Sequence, residues 1–211
     1  MKKTQHRMAE IQLDRIEQND VKKLLRLQMA NGVSNFNDLR ATYSQGDDLS
    51  VHKIHVKTFF INASLDRVWN HYKTADPAAV WNGEMLSFGL MVSGSAGEIV
   101  YPGDPYMGAQ SGQVFYVSLK IFGGLLRLAI AHKIIDVDEG EKSFTLSYVE
   151  GGETVGMQKI LLTEAQNDNT KITHTTYYKG RSPFREKWLY PWFHDKAISE
   201  YHANMRRSLD L

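Results

Sequence analysis

The chain has no cysteine among its 211 residues, which excludes disulfide bonds and thiolate metal sites. An excess of one charge is also missing, since 25 basic and 24 acidic residues leave a net charge of +1. We therefore expect neither nucleic acid, which needs a basic stripe, nor a polybasic membrane anchor. No window approaches 18 apolar residues, so we expect no membrane span. The first residues lack the apolar run of a signal peptide, and together with the absence of cysteine this favours a cytoplasmic location.

Hydrophobic residues make up 42% of the chain and aromatic residues 11%, enough for one sizeable core. Residues 1–48 differ from the rest because their apolar side chains recur at roughly helical spacing among charged ones. We predict a helical N-terminal extension over 1–48, with a break at Asn19-Asp20, and one main domain over 49–211. The extension either packs on its own domain or forms an arm through which two copies pair as a homodimer.

From Leu49 the apolar period changes to two, which is typical of half-buried strands. In the first strand the apolar positions are Ile54, Val56 and Phe60. Strands follow one another without alternating helices, so we predict an α+β protein with a seven-stranded antiparallel sheet. The predicted strands span 51–62, 84–92, 113–121, 126–137, 143–150, 155–165 and 170–179. Between the second and third strands, Ser93–Gly112 holds five glycines and two prolines and predicts a long, mobile loop.

Three helices are predicted around the sheet. Ser64 caps the first, Pro77 starts a short second one, and the last spans Pro183–Leu209 with Ser182 as its N-cap. Pro191 should kink or interrupt this last helix. Beyond it an apolar stripe predicts the buried face, formed by Ile198, Tyr201, Met205 and Leu209.

One face of the sheet should look toward the last helix, and the apolar parity of each strand identifies its side chains. They are Phe115, Val117, Leu119, Leu128, Ile130, His132, Phe144, Leu146, Tyr148, Ile160, Leu162, Ile172, His174, Thr176 and Tyr178. Either this face is packed solid as core, or the helix leaves a cavity of the size that binds small ligands. In a cavity, the polar anchors would be His132, Tyr148, His174 and Tyr178.

His132 and His174 share the inward parity and are the candidate catalytic residues, because histidine titrates near working pH. The alternative is a structural, hydrogen-bonded histidine, since no carboxylate is visibly paired with either. Glu150 is either an acid at the mouth of the cavity or an exposed turn residue. Trp188 and Trp192 either form the core face of the last helix or line the cavity entrance, with Tyr101 and Tyr106 of the long loop acting as a lid.

No metal or cofactor is expected. His52 and His55 lie three apart in a strand and so face opposite sides. His194 and His202 stand eight apart on a helix, about 12 Å along its axis. Neither pair can share a metal ion. The nucleophile-elbow, phosphate-loop and dinucleotide motifs are all absent from the sequence.

The order of strand, two short helices, six strands and a long helix resembles the helix-grip fold of the START, pollen-allergen-like and polyketide-cyclase (SRPBCC) superfamily. Residues 131–138 and 146–152 are similar to the fourth and fifth strands of the plant pollen-allergen proteins. Tyr177-Tyr178-Lys179-Gly180 resembles the end of their last strand, and 60–69 resembles the first strand and helix. The resemblance covers about 50–211. The longer loop Ser93–Gly112 and the first 48 residues depart from the pattern.

The resemblance implies a sheet that curves around the last helix and a cavity for an apolar small molecule. It leaves three hypotheses. The chain binds or carries a hydrophobic, aromatic or lipid-like ligand, or it is an enzyme of the cyclase/aromatase kind that uses a cavity histidine. The third is a protein-interaction module that works through the N-terminal helices.

Overall fold

The structure, a computed structural model, describes residues 7–152, 154–180 and 190–210. Its strands are β1 (Lys53–Ile61), β2 (Leu86–Ser93), β3 (Ile99–Val100), β4 (Gln113–Ile121), β5 (Leu126–Asp138), β6 (Ser143–Tyr148), β7 (Thr154–Ala165) and β8 (Asn169–Gly180). Its α-helices are α1 (Asn19–Ala30), α2 (Leu65–Thr74), α3 (Pro77–Val80) and α4 (Tyr190–Leu209). The predicted α+β class, with an antiparallel sheet and a long C-terminal helix, is confirmed.

All eight strands form one antiparallel sheet in the order β1-β8-β7-β6-β5-β4-β2-β3. The backbone of α4 lies close to β1 and also to β2, which are six places apart in this order, and it packs on α2 and α3. A flat sheet could not bring both strands to one helix. The sheet therefore curves around α4, and its central strands stand farther from the helix than its two sides do.

The strand that the prediction missed is β3, two residues inside the segment predicted as a mobile loop. Two residues are too short to give a periodic signal. The segment is anchored on both sides of β3. Tyr101 is buried, Asp104 forms a 2.6 Å ion pair with Arg15, and the backbone N–H of Ala109 donates to the carbonyl of Lys73.

The N-terminal segment packs on the face of the sheet that points away from α4. Its apolar side chains join outward-facing residues of β2, β4 and β5 in a second core, separate from the core under α4: Met8, Ile11, Ile16, Val21, Leu25, Phe36, Leu39, Leu90, Val92, Tyr101, Val114, Tyr116, Ala131 and Val149. Gly89 allows this approach, because a Cβ there would lie 3.0 Å from Val21 and 3.1 Å from the carbonyl oxygen of Tyr116. Before α1 the chain forms short 3₁₀ turns, not the predicted first helix.

The parity of β1 is the reverse of the predicted one. Ile54, Val56 and Phe60 are 55–60% exposed, while the alternate residues face α4. Among those inward residues, Lys57 binds both carboxylate oxygens of Asp195 on α4, at 2.7 and 2.8 Å. The apolar side of this edge strand therefore faces outward, because its polar side has charged and polar partners on the helix.

The helix α4 buries three residues of the predicted stripe, since Ile198, Tyr201 and Met205 are all less than 10% exposed, and the fourth, Leu209, is partly buried. Pro191 is the second residue of the described helix. The predicted cap at Ser182 and start at Pro183 lie outside the described residues, so the predicted kink stays a prediction. None of the helices in the described ranges is long and apolar enough to cross a membrane.

Gly156 in β7 gives a test of the fold. Its φ is +126°, and a Cβ would meet the backbone carbonyl oxygen of Tyr177 at 2.0 Å. We expect Gly156→Ala to lower the free energy of unfolding by about 2–4 kcal/mol in urea titrations, because strand β8 must shift. Gly151→Ala is the control, since its φ is +88° with nothing within 4 Å, and it should lose about 1 kcal/mol. Equal losses in the two variants would contradict this packing.

Candidate functional site

A cavity of about 500 Å³ lies between the concave face of the sheet and α4. Its wall is mostly apolar and comes from both layers. The lining residues are Trp81, Leu86, Val117, Leu119, Ile121, Phe122, Leu126, Arg127, Leu128, Ile130, His132, Tyr148, Thr154, Gln158, His174, Gly180, Phe193, His194, Ala197, Ile198 and Tyr201. The volume falls within the 300–1,000 Å³ range of small-molecule sites. The described side chains therefore leave this part of the concave face open.

Eleven of the fifteen predicted site residues fall into two groups. The first group lines the cavity: Val117, Leu128, Ile130, His132, Tyr148 and His174. The second group belongs to core and does not line it: Phe115, Phe144, Leu146, Ile160 and Leu162. Four of these five border only a gap of about 50 Å³, where Trp81, Tyr106 and Tyr201 also stand. Both alternatives for the concave face thus hold in part. One end is packed as core around the small gap, and the other end contains the cavity.

Three further predicted residues do not line the cavity. Thr176 and Tyr178 are buried but line neither space, and the Thr176 hydroxyl bonds to His194. Trp192 is 49% exposed, beside Phe193 at the edge of the cavity. Trp188 lies outside the described residues.

A chain of polar side chains crosses the apolar space from α2 to β5. Tyr72 Oη lies 2.7 Å from His202 Nδ1, and His202 Nε2 lies 2.9 Å from His174 Nδ1. His174 Nε2 lies 2.9 Å from Gln158 Oε1, and the amide nitrogen of Gln158 lies 3.1 Å from His132 Nε2 and 2.9 Å from Tyr148 Oη. The two predicted histidines are therefore joined through Gln158.

Each hydrogen bond in this series of side chains sets the direction of the next. The Gln158 carbonyl oxygen can only accept, so His174 donates from Nε2 and accepts at Nδ1 from His202 Nε2–H. His202 then accepts at Nδ1 from the Tyr72 hydroxyl. Turning the Gln158 amide over reverses every bond and leaves each one satisfied. All three histidines are neutral in both directions, and the chain can present either a donor or an acceptor to the cavity.

Burial keeps these histidines neutral. It lowers the pKa of His132 to about 4 and the pKa of His202 to about 3, the latter with help from the nearby Lys57 charge. For His174, burial first and the neighbouring His202 second lower the pKa well below its ordinary value. His132 Nδ1 is buried and has no hydrogen-bond partner within the described part of the chain. It is therefore free to bind a polar group of a ligand.

A second histidine pair lies at the α4 end of the cavity. His194 lines the cavity, and its Nδ1 lies 3.2 Å from His55 Nδ1 on β1. Burial lowers the pKa of His194 well below its ordinary value, with smaller effects from the other histidines. His55 is less buried, and its Nε2 lies 3.7 Å from Asp195. Burial lowers its pKa, while the Asp195 carboxylate opposes that shift.

The sequence reading missed Gln158, His194, His202 and Tyr72. Gln158 has the same strand parity as Ile160, so its inward direction could have been found. His202 lies 28 residues from its partner His174 and 130 residues from Tyr72, so no local sequence pattern predicts these contacts. The sequence presents the histidines on α4 only as possible metal ligands. No group of three or more metal-binding side chains occurs within the described ranges.

The prediction that Tyr101 and Tyr106 form a lid over the cavity is wrong. Tyr101 lies in the outer core, where its hydroxyl accepts from the backbone N–H of Gln12 at 2.7 Å. Tyr106 borders the small gap and donates to Gln113. Among the described residues, none of 93–112 lines the 500 Å³ cavity. Glu150 is exposed and follows the end of β6, as expected of a turn residue and not of an acid at the mouth of the cavity.

Comparison with solved structures identifies the architecture. Norcoclaurine synthase from Thalictrum flavum superposes with a TM-score of 0.55 at 16% identity, over 81% of this chain and 95% of that one. A major latex-like protein from Panax ginseng gives 0.54 at 14% identity, over 75% and 97%. Protein Ms6760 from Mycobacterium smegmatis gives 0.52 at 18% identity, over 77% and 93%.

The chain has the helix-grip fold. The resemblance noted in its sequence is thereby confirmed at the level of architecture. No family model and no curated protein sequence matches this helix-grip chain.

Proposed function

We propose that this helix-grip protein binds a small hydrophobic or aromatic molecule in the 500 Å³ cavity. The observation that carries the proposal is the unfilled apolar space ending on a chain of neutral polar groups. Such a composition, mostly apolar with few polar anchors, is typical of ligand pockets. We assign the apolar contacts to Val117, Leu128 and Ile130, and the polar anchors to His132 and Tyr148.

The expected ligand carries one hydrogen-bonding group on a ring-bearing apolar body. The ring planes of Trp81 and His132 are inclined by 21°, with centroids 6.3 Å apart, and Trp81 supplies an aromatic wall next to the anchor. Burying about 300 Å² of ligand contributes about 7–8 kcal/mol, and association costs several kcal/mol of that. What remains corresponds to a dissociation constant nearer millimolar than micromolar from apolar burial alone, so low micromolar is the tightest affinity we expect without specific polar contacts, which suits a carrier that also releases its ligand.

Filling the cavity tests this proposal. The dye 1-anilinonaphthalene-8-sulfonate (ANS) has an apolar ring system, and we expect saturable fluorescence enhancement with the wild type at pH 7.5. Ala197 lines the cavity, so Ala197→Phe should weaken dye binding about tenfold or more by occupying the space. Ala203→Phe adds the same ring to α4 away from the cavity lining and serves as the control. Equal binding by both variants would refute the proposed site.

An enzyme of the cyclase or aromatase kind is the second candidate. It draws on the likeness to norcoclaurine synthase and on the histidine chain, through which a proton could be passed. Against it, a base whose pKa is about 4 is weak at neutral pH. Dye binding that survives His132→Ala and His174→Ala supports a carrier. Loss of turnover with binding retained in one of them would support the enzyme.

The other proposals concern assembly and location. Pairing of two copies through residues 1–48 stays a prediction, and sedimentation of the full chain at increasing concentration tests it, since removing these residues would expose the outer core. A cytoplasmic location also stays a prediction, to be checked by fractionation of the cells that make the protein.

A further inference from the structure

Apolar side chains are exposed around one end of the cavity. The turn between β4 and β5 carries Phe122, Leu125 and Leu126, which are 61%, 91% and 55% exposed, and α4 adds Trp192 at 49%. Phe122 and Leu126 also line the cavity. The exposed set is thus continuous with the interior, and we call these four residues the apolar mouth.

The apolar mouth is held in place by specific contacts. The ring of Phe122 meets Phe193 edge-on at 5.4 Å, and Trp192 meets Phe193 at 4.6 Å. Phe122 has a φ of +52°, an unfavourable conformation for a bulky residue. Two glycines follow, and the Leu125 N–H donates to the Phe122 carbonyl. The fold therefore fixes a tight turn that presents large apolar groups to solvent, a feature that marks interaction surfaces.

Positive charge accompanies the apolar mouth. Residues 113–135 contain no aspartate or glutamate, although the whole chain is nearly neutral. Arg127 lines the cavity next to Leu126, and the Lys196 ammonium stands 3.9 Å from the ring centroid of Trp192. The nearby Asp195 carboxylate is occupied by Lys57. Aromatic and aliphatic tips flanked by cations match the interfacial layer of an anionic bilayer.

We propose that the apolar mouth docks on the surface of an anionic phospholipid bilayer. Leu125 and its neighbours enter the boundary between headgroups and acyl chains, while Arg127 and Lys196 face the lipid phosphates. The cavity then opens toward the hydrocarbon, and an apolar ligand passes between bilayer and protein without entering water. The exchange of ligand rests on the function proposed above, whereas docking stands on the surface itself.

A bilayer fits this surface better than a second protein chain does. Four protruding side chains supply far less than the roughly 1,200 Å² that a stable protein interface buries. A protein partner would also need a complementary groove for Leu125, whereas lipid accepts a protrusion of any shape. The exposed apolar residues of β1 lie on the outer side of the sheet, away from the cavity, and offer a matched control.

Co-sedimentation with vesicles tests docking. We expect the full chain to bind vesicles of phosphatidylcholine with phosphatidylserine, to bind pure phosphatidylcholine more weakly, and to dissociate as salt is raised. Leu125→Asp should lower the partition coefficient about tenfold or more, because it loses apolar insertion and adds a repelled charge. Ile54→Asp replaces an apolar side chain of 60% exposure on β1 and should leave binding unchanged.

Several results would overturn the proposal. They are no vesicle binding by the wild type, unchanged binding by Leu125→Asp, or an equal loss with Ile54→Asp. A self-associated wild type that Leu125→Asp makes monomeric, without any vesicle binding, would identify a second copy as the occupant instead. ANS titration of the same proteins without vesicles separates the two claims, since Leu125→Asp should keep its dye site. Vesicle binding without dye binding would refute the cavity's function and leave docking standing.

Discussion

Acidification from pH 7 to pH 5 should destabilise this protein by about 2 kcal/mol for each fully buried histidine, and by about 7 kcal/mol for four of them. The four are His132, His174, His194 and His202, all of whose pKa values are lowered by burial. The total is comparable with the whole stability of an ordinary domain. We therefore expect the urea midpoint to fall steeply over this range.

The direction follows from proton uptake by the unfolded chain. Unfolded histidines bind protons below about pH 6.5, whereas His132 in the folded chain binds one only near its pKa of about 4. The contribution of these neutral histidines to stability is therefore fully present above about pH 6.5, and it is lost as the pH falls toward their pKa values in the folded state. Carboxylates such as Asp104, whose pKa the Arg15 hydrogen bond lowers, act at lower pH. The window from pH 6.5 to 5 thus reports on histidine.

A double variant assigns the effect to the histidine chain. His174→Leu with His202→Leu should remove about half of the pH dependence, roughly 4 kcal/mol between pH 7 and pH 5, whatever its stability at pH 7. Urea unfolding at the two pH values measures both proteins. A wild type with equal midpoints at pH 7 and pH 5, or a double variant with the full dependence, would contradict neutral, desolvated histidines.

Gln158→Leu should lower the free energy of unfolding by about 4 kcal/mol at pH 7.5. Leucine has a similar size but no polar group, so His174 Nε2 and His132 Nε2 each lose a buried partner. A buried polar group without a partner costs about 1–3 kcal/mol. Denaturant unfolding of wild type and variant measures the difference.

Gln28→Leu is the matched control. Gln28 is also buried, but it accepts one hydrogen bond, from Tyr116 Oη at 2.9 Å, and its own Nε2 already lacks a partner within the described ranges. The substitution should therefore lower the free energy of unfolding by about 1 kcal/mol. If Gln158→Leu lowers the free energy of unfolding no more than Gln28→Leu does, the contacts of Gln158 with His132, His174 and Tyr148 contribute little to stability. The polar side chains between α2 and β5 then do not act as one connected network.

The sequence was sufficient to orient elements that have solvent on one side and the core on the other, because their apolar residues recur with a clear period. The parity of β4 to β8 correctly turned His132, His174 and Ile130 inward, and the stripe on α4 correctly buried Tyr201 and Met205. The antiparallel class followed from hairpin-linked strands without intervening helices. These features are local, and solvent exposure alone determines them.

The pattern was insufficient where polar partners decide the outcome. In β1 either parity satisfies a period of two, and pairing of Lys57 with Asp195 selects the one that exposes Val56. The sequence predicts Tyr101 in a lid, but Gln12 and Arg15 from the N-terminal segment hold it on the outer face. The link between His132 and His174 depends on Gln158, a residue type without a catalytic signature. Each of these positions depends on contacts between segments that are distant in the sequence.

If the apolar cavity that ends on neutral histidines receives a ligand, the histidines must report its arrival. Their side-chain ¹⁵N resonances can be followed during ANS titration at pH 7.5. We predict that His132 and His174 start as neutral rings and shift on dye binding, that Ala197→Phe abolishes these shifts, and that His71, bonded to Ser208 and absent from the lining, stays unchanged. Charged rings before titration, or a saturated dye complex in which the resonances of neither His132 nor His174 shift, would refute a ligand site on neutral histidines.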